Sequence, residues 1–568
     1  MSEPGPTISS GETSLEIYDE GREGSAAFVG EKHAVVEAND DLKRGFENRQ
    51  LQLVAIGASV GTALFVSIGG TLHRAGPGGL LLAFCIHNVF LAMVNNSMAE
   101  MSVYQPVAGG FIRMAGHWVD DALGFATGWN FFFYQAIVIP FEIVALSLVL
   151  SFWSDHIPAP AIIAGCISLY ILLNIFAVRI YGESEFWLSG GKVFLITMLF
   201  FFTFVTMVGG NPAHDVYGFR NFNTPGAFAT HLSTGTLGRF EGFLDALWAA
   251  AFTCVGPEYV SIVAAEAKHP RTHIKTAFKN VYWRQVLFFG GGALAVGILV
   301  RYNDPTLVSF FGAGATKNAG TAGASPYIIA MSNLGIDVLP HIATALLATT
   351  IFSAGNTYSY CATRTLHSLA LEGRAPKILR KCSKRGIPYI CFGIVMLFPL
   401  LAFMQMSNSA AQVLNWLITL ATAATILDYV VICTTYLRFY YACKKQGFDR
   451  SQLPYTGWMQ PYCGWIGLAW MSLIVIFFGY ASFKPWNATT FFTTYTLVII
   501  FPVLYAGWKY FKGTKIIPLA EMDLVWRAPA VTAYEESAPD RPVGFWREVM
   551  HLFLFKIQKI KKVTKSDV

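Results

Sequence analysis

The chain alternates long apolar runs with short polar stretches. Twelve runs hold roughly the 20 mostly apolar residues that an α-helix needs to cross a bilayer: 51–71, 78–98, 121–151, 159–179, 187–208, 242–265, 284–301, 339–361, 388–406, 411–436, 462–483 and 489–510. Membrane-crossing strands are shorter and alternate apolar with polar positions. These runs are apolar all round, so the pattern predicts an all-α polytopic membrane protein with twelve transmembrane helices. The loops assign its direction, because cytoplasmic loops collect Lys and Arg. The loop after the sixth run holds Lys268, Arg271, Lys275 and Lys279. The loop after the eighth holds Arg364, Arg374, Lys377, Arg380, Lys381, Lys384 and Arg385, and the loop after the tenth Arg438, Lys444, Lys445 and Arg450. The intervening loops 152–158 and 407–410 have no Lys or Arg, and 484–488 has only Lys484. With an even number of crossings, both termini are expected in the cytoplasm.

Composition agrees. Of 568 residues, 54% are hydrophobic and 13% charged, against about 25% charged in soluble proteins. A soluble enzyme, a disordered scaffold and a nucleic-acid binder are therefore poor readings. Nine Cys lie mostly inside apolar runs, so no disulfide framework is expected. No CxxC, HExxH or Walker-type glycine loop is present, and Cys361 and Cys382 are far from other metal-type ligands; no metal or cofactor is expected. No cleaved leader is expected either, since residues 1–50 contain no apolar h-region. That segment reads as an acidic, disordered cytoplasmic tail. The core would span 51–510, divided into a first repeat near 51–208, a second near 242–436 and two extra helices near 462–510. Residues 511–568 would form a second cytoplasmic tail. Within it, 544–563 alternates Phe545, Trp546, Val549, Phe553 and Ile557 with Lys556, Lys559, Lys561 and Lys562, as in a basic amphipathic helix lying on the lipid surface.

Two runs are interrupted at their middles. The first contains Gly57-Ala58-Ser59-Val60-Gly61-Thr62-Ala63, and the sixth contains Phe252-Thr253-Cys254-Val255-Gly256-Pro257-Glu258. Paired interruptions in corresponding halves point to a secondary transporter's binding site. Unwinding frees N–H groups for a carboxylate at one half-helix end and carbonyls for an ammonium at the other. The competing reading of 57–61 is close helix packing through GxxxG. Gly256-Pro257 is harder to account for by packing, because Pro removes a backbone donor.

These residues resemble the fungal amino acid permeases, the yeast amino acid transporter branch of the amino acid–polyamine–organocation superfamily. The likeness runs from about Leu42 to Trp526. It rests on Gly57 to Phe65, Glu100-Met101, Pro106 to Phe111, Gly128-Trp129-Asn130, Pro140-Phe141-Glu142, Glu185-Phe186-Trp187, Lys192, Gly256-Pro257-Glu258, Ser353 to Asn356, Tyr436 to Phe439 and Gln460-Pro461-Tyr462. The resemblance implies a LeuT-like inverted repeat of five plus five helices with two extra helices, and proton-coupled amino acid uptake at the plasma membrane. It implies that backbone from Ser59 through Val60, Gly61 and Thr62 to Ala63 meets the substrate carboxylate. Carbonyls near Phe252, Cys254 and Val255 would meet the amine, and Phe252 would gate the site. Family members typically have Gly at positions 58 and 63, Thr at 257 and often Phe at 254. The versions here look most similar to the yeast permease linked to carnitine and polyamine uptake, so a bulky amine is an alternative substrate. A nutrient sensor is an alternative of another class, and ubiquitin ligase adaptors acting on the tails, at Lys32 and Lys43, suit either.

Ionisable groups at bilayer depth cost roughly 2.5–3.5 kcal/mol and need an account. Glu142 and Glu258 are read as substrate or proton groups, or else as protonated residues bonded to a neighbouring helix. Lys192, near the start of the fifth run, is read as reaching the first broken helix and coupling protons, or else as snorkelling to the interface. Asp245 reads as a possible cap. Asp428 would help to hold an amine, although no motif places it. Trp248, Phe252 and Tyr259 are candidates for cation–π contact. Asn487-Ala488-Thr489 is a glycosylation sequon close to the membrane.

Overall fold

The computed structural model describes residues 47–154, 156–176, 178–311, 325–383, 387–483, 486–537 and 550. The acidic tail to Phe46 and, apart from Met550, the amphipathic stretch 544–563 lie outside the described residues. Among the described residues there is no strand, only one isolated bridge between Phe483 and Trp486. The helices used below are α1 (Asn48–Ser59), α2 (Ile68–Tyr104), α3 (Asp121–Leu150), α4 (Ala159–Phe176), α5 (Val178–Met207), α6 (Gly235–Thr253), α7 (Pro257–Ile262), α8 (Pro270–Arg284), α9 (Val338–Leu371), α10 (Ala410–Gln446), α11 (Tyr462–Phe477), α12 (Ala488–Lys512) and α13 (Ala528–Ser537).

Nine helical stretches among the described residues are long and apolar enough to cross a membrane. Three local features separate nine from the twelve expected. The first two runs join into one stretch, Ala63–Tyr104, because helix resumes directly after the first break. α4 is shorter than the other stretches. The sixth run is cut into α6 and α7. Inside Ala63–Tyr104 the chain still turns at Gly76, whose φ of 75° is left-handed. A β-carbon there would lie 2.6 Å from the Ala229 nitrogen, so only glycine fits.

α3 is the axis of the bundle. Its most apolar window is 89% buried, whereas that of α12 is 11% buried, which puts α3 at the centre and α12 at the rim. α3 packs along both α9 and α10, and its hydrophobic positions face all directions, as a fully surrounded helix requires.

At the end of the bundle that carries the basic loops, two segments are pinned across the helices. Glu100, in the last turn of α2, is fully buried. It accepts two hydrogen bonds at Oε1 from Arg450, at 2.9 and 2.7 Å, and three at Oε2, from Arg450, the Tyr436 hydroxyl and the Gly457 N–H, at 2.8, 3.0 and 2.7 Å. Arg450 also lies 4.6 Å from the centre of the Tyr440 ring. The second segment, from Thr514 to Ser537, lies within the stretch 511–568 expected as a tail and is seated against the helices. Its backbone carbonyls are held by side chains of the body. Gln446 bonds Leu519 and Met522, Tyr104 bonds Leu524, and the Trp118 indole bonds Asp523. Trp526 stacks on His117 at 4.0 Å. Finally, α13 reaches Arg271 at the start of α8: Glu535 accepts from the Arg271 N–H, and the guanidinium donates to Thr532 and to the Ala528 carbonyl.

Candidate functional site

Both expected interruptions are breaks in helix. α1 ends at Ser59, Val60 and Gly61 leave helical geometry, and after Thr62 the chain re-enters through a wide turn, Ala63–Ser67. Gly61 packs closely on its neighbours: a β-carbon would lie 3.1 Å from Glu142 Oε1, which would have to give by a few tenths of an ångström, and 3.5 Å from the Ala354 methyl. Glu142, on α3, accepts a hydrogen bond from the Thr62 hydroxyl. Lys192, on α5, is fully buried and donates from Nζ to the Gly57 carbonyl at 2.7 Å. One broken helix thus meets a carboxyl and an amine side chain, the first at Thr62 just past the break and the second at Gly57 in the last turn before it. Lys192 points into the bundle and does not snorkel.

In the second break, Cys254 is extended after the end of α6, Gly256 has φ 151°, and Pro257 opens α7 at a position where its missing N–H costs nothing. Cys254 and Val255 are buried. Glu258 accepts the Gly256 N–H at 3.3 and 3.2 Å and the Tyr429 hydroxyl at 3.0 Å. A carboxylate in the first turn also suits the positive end of the helix dipole. Arg284, buried on α8, acts on Glu258 electrostatically. Phe252 is 7% exposed and meets Phe141, the neighbour of Glu142, edge to face at 5.3 Å.

Of the other candidates, Asp245, Trp248 and Asn487 have partners outside this cluster, and Tyr259 lies within it. Asp245 pairs with Arg74 at 2.7 Å. Trp248 packs on Phe478 at 5.8 Å. Tyr259 faces inward, against Phe131 and Tyr358. Asn487 is the N-cap of α12, with its side-chain oxygen accepting the Thr490 N–H.

Five side chains contribute in ways the sequence does not announce. Thr62 enters the sequence reading through its backbone, yet its hydroxyl binds Glu142. Tyr134, Tyr358 and Tyr429 sit in apolar runs that read as packing, yet form an aromatic group around Glu258 and Tyr259. Arg284 opens the seventh run and passes for a flanking charge. The available signal was a polar group recurring one turn apart, as with Asn130 and Tyr134 on α3.

The structure is that of a polytopic, all-helical membrane protein with buried charges gathered on two broken helices. The family described as Amino acid permease matches residues 50–519. Similar proteins include the General amino acid permease AGP2 of Saccharomyces cerevisiae, 42% identical over 477 residues that cover 83% of this chain and 79% of that one. The Proline-specific permease of the same yeast is 37% identical over 495 residues, 85% and 78% of the two chains. The Probable lysine/arginine permease CAN2 of Candida albicans is 34% identical over 522 residues, 89% of each. The chain belongs to the amino acid permease family.

Proposed function

We propose that this permease is a plasma-membrane symporter that carries amino acids inward with protons, built as twelve spans in a LeuT-like inverted repeat with both termini in the cytoplasm. The carrying observation is the Lys192 ammonium on the carbonyl of Gly57, beside a break where Glu142 meets Thr62. An ammonium at this carbonyl stabilises the unwound segment while charged and releases it when neutral. Proton loss and gain at Lys192 would thereby change the geometry of the carboxylate-binding segment Val60 to Ala63. Glu142 and Glu258 are the other groups able to carry a proton within the site. Phe252, packed on Phe141, closes the site from the outside. The expected substrate is zwitterionic, since the two breaks offer N–H groups at one half-helix end and carbonyls at the other.

The test is uptake of radiolabelled amino acids into yeast that lack their own permeases. A protonophore should abolish accumulation, and replacing external sodium by choline should leave it unaltered. Lys192→Met should lose gradient-driven accumulation while the protein still reaches the surface. Strict sodium dependence would overturn the coupling.

A further inference from the structure

Nearer the N-terminus of α3 than Glu142, at Asn130, lies a group of polar atoms that the proposed coupling does not use. Asp428, on α10, is 1% exposed, and Asn130, on α3, is 2% exposed. The Asn130 amide nitrogen donates to the Ala424 carbonyl at 2.8 Å and to Asp428 Oδ1 at 2.9 Å. Both partners are acceptors, which fixes the amide orientation and leaves Asn130 Oδ1 as an acceptor. Among the described residues, neither Asn130 Oδ1 nor Asp428 Oδ2 has a hydrogen-bond partner. Buried polar atoms are almost always satisfied, so two orphaned acceptors on adjacent side chains need an explanation.

The surroundings set the sign of what would satisfy them. The other two carboxylates of the region each face a cation: Lys192 acts on Glu142 and Arg284 on Glu258. Among the described residues, Asp428 faces the Asn130 amide and the carboxyl of Glu258. Of these three buried carboxyls, Glu142 and Glu258 each have a buried cation acting on them, and among the described residues none acts on Asp428. The aromatic neighbours have the same polarity. Tyr134 lies one turn beyond Asn130 on α3, within reach of Tyr259, Tyr358 and Thr425, and Thr425 is one turn before Asp428 on α10. The Tyr134–Tyr358 and Tyr259–Tyr358 ring centres are 6.3 and 6.1 Å apart. Ring faces and carboxylates together attract a desolvated organic cation.

We propose that Asn130 and Asp428 form a subsite for a second, distal ammonium of the substrate, which makes this permease selective for amines with an additional positive charge on an alkyl chain. The ammonium would donate to Asp428 Oδ2 and Asn130 Oδ1, with its methylene stem against Tyr134, Tyr259 and Tyr358. This inference rests on the transporter reading above and adds the substrate class. An ammonium in this position donates to both acceptors, whereas an apolar side-chain end leaves them unpaired. Sites built around hydrogen-bonding groups reject the analogue that lacks the partner far more strongly than apolar sites reject a missing methylene.

The experiment compares uptake of L-lysine, of L-norleucine (a neutral analogue with the lysine carbon skeleton) and of putrescine, by wild type and by Asp428→Asn, with surface protein measured in parallel. Wild type should take up lysine in preference to norleucine. In Asp428→Asn the lysine-to-norleucine ratio of kcat/KM should fall about tenfold or more, and Asp428→Glu should restore part of it. Putrescine uptake that falls with lysine extends the subsite to amines without a carboxylate; putrescine never transported, with lysine affected, confines it to amino acids. An unaltered ratio in Asp428→Asn overturns the proposal. So does a wild type that carries norleucine and neither cation, which leaves the transporter reading standing; a wild type that moves none of the panel's amino acids or any other overturns that reading instead. Proportional loss of all substrates, with loss of gradient dependence, makes Asp428 a proton carrier and also overturns the subsite. Should Asp428→Asn fail to reach the surface, Asp428→Ser, which keeps a hydrogen-bonding group toward Asn130, gives the same ratio test.

Discussion

The Glu100–Arg450 pair allows a quantitative test of how the loop after α10 is held. Glu100 sits in the last turn of α2, the negative end of that helix dipole, where a carboxylate is unfavourable without compensation. It is fully buried, while the Arg450 side chain is 23% exposed. Arg450→Met therefore strands a buried carboxylate with only Tyr436 and the Gly457 N–H. Removing one partner of a buried pair costs about 3–5 kcal/mol. The partial exposure of Arg450 favours the lower end of that range, about 3 kcal/mol. Glu100→Gln leaves the guanidinium against a neutral amide and should cost less, since Arg450 retains the Tyr440 ring and partial access to water. In the double variant no charge is stranded. Its loss should fall short of the sum of the single losses by roughly 1.5–3 kcal/mol. Thermal denaturation of the detergent-purified protein, followed by tryptophan fluorescence at pH 7, measures all four members of the cycle. Losses that add to within about 0.5 kcal/mol would refute the pairing as the element that pins residues 449–457.

Two further expectations concern the site and the bundle end. Phe252→Ala removes the ring that packs on Phe141 and should raise KM for uptake by roughly 10- to 200-fold, on the order expected for lost apolar contact; Phe252→Trp should be milder, and wild-type kinetics in Phe252→Ala would remove Phe252 from the gate. Asp120, the N-cap of α3, is raised by burial but lowered more by hydrogen bonds from Lys509, Thr514 and the Ala122 N–H and by the Lys509 charge, so its carboxyl lies below the usual 3.8. A lowered folded value gives stability that is present above pH 3.8 and is lost as pH falls through the folded value. Asp120→Asn should therefore lower the melting temperature at pH 7 and flatten its decline below about pH 4, and a parallel pH profile for variant and wild type would contradict this.

How much the sequence disclosed follows from how local each determinant is. The two breaks were legible because Gly61 and Gly256-Pro257 carry their backbone consequences with them. Lys192 was legible as a charge that an apolar run must place somewhere. The Asn130–Asp428 contact was not, because it joins residues 298 apart that share no local signal. Asp245 was misread as a cap for the same reason, since Arg74 lies 171 residues away. The Thr514–Ser537 segment was read as tail because its composition is ordinary and polar. What attaches it is a set of backbone carbonyls, and any sequence has those; the specificity lies in Tyr104, Trp118, Arg271 and Gln446, spread over hundreds of residues.

That segment also sets an order on biosynthesis. Chains emerge from the ribosome N-terminus first, and domains assemble in that order. Among the described residues, every helix long and apolar enough to cross a membrane, through Lys512, is made before Thr514 to Ser537 can reach its seat. A nascent chain stopped after Gly513 has a full set of inserted helices, yet its Tyr104, Trp118 and Arg271 donors still lack the carbonyls they bind in the finished protein. Insertion and completion are thus separate events, and the exposed donor surface distinguishes an inserted chain from a finished one until the last part of the message has been translated.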